Sequence, residues 1–260
     1  MKQFIKNFIQ NYLTPYWKTL VFFSVIGLIG GFFTGLYLLD SYPAEIQEEI
    51  LSQGLNDVLI GVITAIQSAG YGFFLGVFGI FFAKQVGLWK DETSIEKSPL
   101  LVTVILSVLG GLALILPDVF FFGRHIQAVM DSYAVKPTIP YLLATVTYGA
   151  VIEEVMLRLF AMSLIAFLIH KFLNKKGTLD ATKIYVLANI ISALLFAVGH
   201  LPTTFLLLGS TPLIIFRCIL LNGALGLLFG YLYRKYGLRY AMIAHGGCHV
   251  ISKLIWILFL

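Results

Sequence analysis

The sequence predicts an all-α fold, a polytopic membrane bundle of about seven transmembrane helices whose C-terminal four enclose a polar cavity. Three observations predict it. Apolar residues make up 59% of the chain and charged residues 12%, against roughly 25% charged in a soluble domain. The mean hydropathy is +0.91. Apolar runs long enough to cross a bilayer, about 20 residues each, recur along the whole chain, separated by segments whose basic residues fall on alternate connections.

Residues 1–15 read as a basic amphipathic entry segment lying on the membrane surface. Tyr16 and Trp17 follow where an interfacial aromatic belt stands. The first span, 17–39, is longer than the apolar region of a signal peptide and is followed by no small-x-small cleavage site. Its Gly27, Gly31 and Gly35 are spaced four apart, as are Gly72 and Gly76 in the second span, 57–85, a pattern that lets helix backbones approach closely. Between these spans lies an amphipathic stretch, 41–54. The third span, 98–116, leads to another near 118–134. Four further spans follow at 139–173, 182–207, 211–235 and 238–260, joined by short connections. The chain accordingly divides into a membrane scaffold, 1–138, and a four-span core, 139–260.

Lys2, Lys6, Lys18, Lys84, Lys90, Lys97, Lys171, Lys175, Lys176, Lys183, Arg234, Lys235 and Arg239 fall on one side of this topology, and Arg124 and Lys136 on the other. Positive residues gather on the cytoplasmic side. The reading is therefore an integral multi-pass protein with its N-terminus cytoplasmic and its C-terminus opposite. The same distribution explains the net charge of +5 as topology and argues against a nucleic-acid partner; membrane lipid is the expected environment. Cys218 and Cys248 both lie in apolar runs, so no disulfide framework is indicated.

Charged groups inside spans are expensive, at least ~2.5–3.5 kcal/mol each at a helix centre, and are functional candidates. The fourth span carries Glu153, Glu154 and Arg158. Glu154 and Arg158 stand at i and i+4 and can pair, leaving Glu153, about 100° away around an α-helix, to face something else. The fifth span carries His200, and the seventh carries His245 and His249 at i and i+4. Taken alone, the fourth-span charges could be a buried polar knot that fixes helix packing. Two glutamates and three histidines in one four-helix unit point instead to chemistry.

Glu153-Glu154-Val155-Met156-Leu157-Arg158, Phe196-Ala197-Val198-Gly199-His200 and His245-Gly246-Gly247-Cys248-His249 follow in order on separate spans. They resemble the three motifs of the type II CAAX prenyl endopeptidases and their bacterial, bacteriocin-processing relatives, over roughly residues 140–255. The resemblance implies an intramembrane endopeptidase acting on a membrane-associated peptide or protein. Glu153 would be the general base activating water with His200, and His245 with residue 249 would stabilise the oxyanion. Glu154 and Arg158 would be supporting groups that hold their helix or grip a substrate carboxylate, with Phe196 packing beside His200.

His249 departs from the family pattern, which has asparagine there. Imidazole can also donate to an oxyanion, so the departure is compatible with activity. Glu153, His200, His245 and His249 are equally a ligand set of the kind zinc takes; the reading favours a metal-independent glutamate and no cofactor. Amide hydrolysis needs a base for water and donors for the oxyanion, and no serine or cysteine stands in a nucleophile arrangement. Cys248 should face away from the two histidines that flank it. The rival readings are a non-catalytic scaffold or immunity protein with the same fold, and a proton-coupled transporter using the cluster as a relay.

The remaining intramembrane polar residues have plainer expectations. Lys253, His170 and Arg217 should snorkel to an interface, and Asn222 should bond across helices. Helix rise puts Glu153 about 25 Å from the basic end of its span but His245 only about 9 Å from Arg239. The fourth and fifth helices must therefore project beyond that face, or the turn before the seventh must dip into the membrane.

Overall fold

The structure is a computed structural model that describes residues 2–91, 94–174, 177 and 179–260. Lys175 and Lys176, counted above among the basic residues, lie outside the described residues. The described chain is helical, with no strand. The entry segment is α1, Lys2–Phe8, continued by a wide turn at Ile9–Leu13. The spans of the first half are α2 (Trp17–Leu38), α4 (Asp57–Gln85) and α5 (Lys97–His125). Two short helices, α3 (Ala44–Ser52) and α6 (Gln127–Ala134), lie in the connections. The second half has a long rod, α7, over residues 139–173, then α8 (Ala181–Gly199), α9 (Leu201–Leu208), α10 (Pro212–Tyr236) and α11 (Leu238–Phe259).

Six helices among the described residues are long and apolar enough to cross a membrane, and the protein is an integral multi-pass membrane protein. The sequence reading expected seven. The difference is α7, which is helical throughout 139–173 but carries Glu153, Glu154 and Arg158 mid-rod.

Close glycine contacts bind the first half to the second. A Cβ on Gly35 would lie 2.5 Å from the Cα of Gly61, and one on Gly30 would lie 2.5 Å from the backbone nitrogen of Tyr148. Thr64 adds a hydrogen bond from its hydroxyl to the Gly31 carbonyl, 2.7 Å. α2 is thus wedged between α4 and the beginning of α7. The main core lies toward the basic end of the bundle, where Leu20, Ile80, Leu159, Met162, Phe229, Leu232 and Ala241 are wholly buried.

At that basic end Phe82, close to the end of α4, packs on both Phe160 and Phe167 of α7, with ring centroids 6.2 and 5.3 Å away, and Ile169 of the same rod is still buried in the main core.

A smaller apolar cluster of Phe122, Ile126, Val129 and Ile214 closes the other end. Beside it Asp118, fully buried, accepts a hydrogen bond from Arg217 Nε at 2.6 Å, a second from the same guanidinium, and one from the Tyr133 hydroxyl at 2.7 Å. Arg217 therefore does not snorkel: a buried carboxylate is a stronger partner than interfacial water. Asn222 bonds to the Cys218 carbonyl one turn back on its own helix, 2.9 Å, rather than across helices.

Candidate active site

The middle of α7 is not a regular α-helix. Wide i→i+5 turns run over Thr145–Glu153 and Val155–Met162, on either side of Glu154. Such turns insert extra residues into the helical path and recur at functional sites. They change the angular step, so the 100° separation expected of Glu153 and Glu154 no longer applies. The hydroxyl of Ser192 on α8 donates to the Leu157 carbonyl within this stretch, 2.6 Å.

Both carboxylates approach one imidazole. His245 Nδ1 hydrogen-bonds Glu154 Oε1 at 2.8 Å, while Nε2 on the other side of the ring lies 3.8 Å from Glu153 Oε2. Since an ionised carboxylate only accepts, Nδ1 carries the proton and Nε2 is presented to Glu153. Glu154 is fully buried, whereas Glu153 retains 21% exposure. The buried acid orients the histidine, and the other keeps contact with water.

Glu154 also makes the i,i+4 pair with Arg158, NH1 to Oε1 at 3.2 Å, with Arg158 only 1% exposed. The guanidinium donates to the Gly226 carbonyl at 3.1 Å and lies against the rings of Phe196 and Phe229, 4.6 and 5.4 Å from their centroids. So enclosed, Arg158 does not reach a substrate carboxylate; it ties α7 to α8 and α10. Phe229 stacks on His245 at 4.5 Å and 17°, and fixes the plane of the imidazole.

His249 stacks on the other histidine, 5.0 Å between rings, and its Nδ1 is buried without a hydrogen-bond partner. A Cβ on Gly149 would lie 3.4 Å from His249 Nε2 and 3.9 Å from His245 Nε2. Both nitrogens therefore border the space that this glycine leaves on α7. His200 stands at the junction of α8 and α9, edge-on to Phe196 at 4.6 Å. Its Nδ1 is held by the Phe196 carbonyl at 2.8 Å, which leaves Nε2 as the available nitrogen. The ring of Phe196 also meets His245, at 5.9 Å, and so spaces the two histidines.

The Cys248 sulfur lies against Gly110 of α5, facing away from the histidine pair. Among the described residues no three His, Cys, Asp or Glu side chains come together as a metal-holding group. The four-ligand arrangement of Glu153, His200, His245 and His249 is not assembled in this conformation.

Two neighbours of the site escaped the sequence reading. Tyr37, from the half read as scaffold, and Tyr148 both lie within electrostatic reach of Glu153. A tyrosine in an apolar span carries no signal that would single it out. Lys253 does not extend freely to an interface; its ammonium lies over the rings of Tyr141 and Trp256 at 4.9 and 5.5 Å.

Residues 135–251 match a family model described as type II CAAX prenyl endopeptidase Rce1-like. The segment is similar to that family. Comparison with curated proteins and with solved structures yields no match. The Rce1-like segment begins just before α7 and ends within α11, so it contains every residue of the carboxylate–imidazole cluster.

Proposed function

We propose that the protein is an intramembrane endopeptidase that hydrolyses a peptide bond of a membrane-associated, CAAX-type substrate with water activated by Glu153 and His200. The observation that carries this reading is the pair of carboxylates on either side of His245: one buried and committed to orientation, one partly exposed and 3.8 Å from the ring's other nitrogen. Glu153 takes a proton from water as the oxygen attacks the scissile carbonyl carbon. His249 from its Nε2, and His245 in its doubly protonated form with Nδ1–H kept on Glu154, present N–H groups that hold the oxyanion; such donors are each worth about 10²–10³ in rate. When the intermediate collapses, the C–N bond breaks and the proton held by Glu153 passes to the leaving amine.

Glu154 fixes the tautomer and plane of His245, an arrangement in which a second acid raises the fidelity of the first. Arg158 balances the buried charge of Glu154. We propose further that the N-terminus is cytoplasmic and that 1–138 serves as scaffold, apart from Tyr37.

Cleavage of a library of quenched, lipid-tagged peptides by the purified protein, with products identified by mass spectrometry, tests the reading. Glu153→Ala and His200→Ala should each abolish product while leaving expression and membrane insertion intact. Undiminished cleavage in either variant refutes the assigned roles, and a scaffold protein would show no cleavage in any form.

A further inference from the structure

His245, His249 and Lys253 follow one another at four-residue intervals on α11 and share a face of that helix. The first two belong to the site. Lys253 is half-buried inside an apolar span, where a cation is costly and calls for a named partner. Among the described residues no carboxylate comes within ion-pairing distance of its ammonium. It rests instead over Tyr141 and Trp256. Ring faces hold a cation in position yet leave its N–H donors unused. The neighbouring Lys136 is already engaged with the Trp256 and Ile257 carbonyls, 3.3 and 3.1 Å.

The packing shows on which side of the cluster space is to be found. Toward the basic end, Leu159, Met162, Phe229 and Leu232 are fully buried and close the site. Toward Lys253, Tyr37, Tyr141, Tyr148 and His249 are all partly exposed. An elongated substrate with its scissile carbonyl at His245 and His249 would continue along α11 on this partly exposed side, toward Lys253.

We propose that Lys253 binds the free C-terminal carboxylate of the substrate and so fixes the distance between the cut and the chain end. The proposal rests on the protease reading above. A CAAX sequence ends in a free carboxylate three residues beyond its lipidated cysteine. A cut on the carboxyl side of that cysteine leaves three residues, which span at most about 10–11 Å when extended. Lys253 lies about 6 Å along the helix from His249 and about 12 Å from His245, which brackets that length. The aromatic faces of Tyr141 and Trp256 then line the path of the two aliphatic side chains. Arg158, sealed behind Phe196 and Phe229, leaves Lys253 as the cation on the open side of the site.

The test uses full-length protein in phosphatidylcholine nanodiscs, with and without anionic phosphatidylglycerol, and a lipidated peptide made in two forms, with a C-terminal acid and with a C-terminal amide. The wild type should cleave the acid about 10- to 100-fold more efficiently, the range a charge-assisted hydrogen bond commands, with the difference carried in KM. Lys253→Met should bring the acid down to the amide's level and leave the amide unchanged; Lys253→Arg should retain the preference. Calorimetric binding of the three-residue product to wild-type protein gives the same comparison without turnover: acid should bind and amide should not, and Lys253→Met should lose the difference. Carboxylate-dependent binding without any cleavage would leave this inference standing and sink the protease reading. Equal cleavage or equal binding of acid and amide by the wild type overturns the inference. So does a Lys253→Met defect equal for both peptides and seen only with anionic lipid, which would assign the ammonium to a lipid headgroup.

Discussion

Removing the Glu154 carboxylate should destabilise the protein more than any other single change in the cluster. Glu154→Leu leaves the Arg158 guanidinium, 1% exposed, with the Gly226 carbonyl as its hydrogen-bond acceptor and two aromatic faces. Breaking a buried pair from one side costs about 3–5 kcal/mol, because the surviving charge stays buried and uncompensated. Arg158→Met should cost less, since Glu154 keeps its bond from His245. In Glu154→Leu/Arg158→Met neither charge remains, so the double variant should recover at least about 2 kcal/mol relative to the sum of the singles. Reversible unfolding by SDS, followed through tryptophan fluorescence, provides the cycle. At this chain length each kcal/mol corresponds to about 2–4 °C, so a melting scan should place Glu154→Leu about 6–20 °C below wild type. A loss under about 1 kcal/mol for Glu154→Leu, typical of a solvated pair, or strict additivity of the two changes, would refute the desolvated pair.

Gly149→Val should fill the space bordered by both Nε2 atoms and reduce cleavage about 100-fold, with the unfolding midpoint close to wild type; an active Gly149→Val would show that substrate does not enter there. Asp118→Leu strands Arg217 and Tyr133 at the far end of the bundle and should cost about 3–5 kcal/mol in the same SDS titration. Tyr133→Phe removes one hydrogen bond to the buried carboxylate and should cost about 1–3 kcal/mol. Gly30→Leu forces α2 away from Tyr148, and loss of folded yield with retained membrane targeting is the expected result, measured by detergent size-exclusion chromatography.

The spans were legible because lipid demands long apolar runs, and the cluster was legible because lipid makes each intramembrane charge conspicuous. Glu154 and Arg158 could be paired from their spacing alone. Other features depend on contacts between helices distant in sequence. Asp118 and Arg217 are 99 residues apart, so Arg217 looked like an interfacial cation. Tyr37 reaches the site only because α2 lies tightly on α7 at Gly30. The wide turns flanking Glu154 have no residue signature, but the expectation that Glu154 pairs with Arg158 while Glu153 faces another group holds in the contacts. Lys253 was visible as a charge, but its aromatic seat is built from α7 and α11 together.

The measurement that bears most directly on the central claim compares wild type with Glu153→Gln in cleavage of a lipidated peptide, each with and without a zinc chelator. Gln keeps the size and polarity of the side chain and removes the base. Cleavage by the wild type that survives chelation and falls by at least about 100-fold in Glu153→Gln is the predicted result. Retained cleavage in Glu153→Gln, or cleavage abolished by chelation, would contradict a glutamate-activated water.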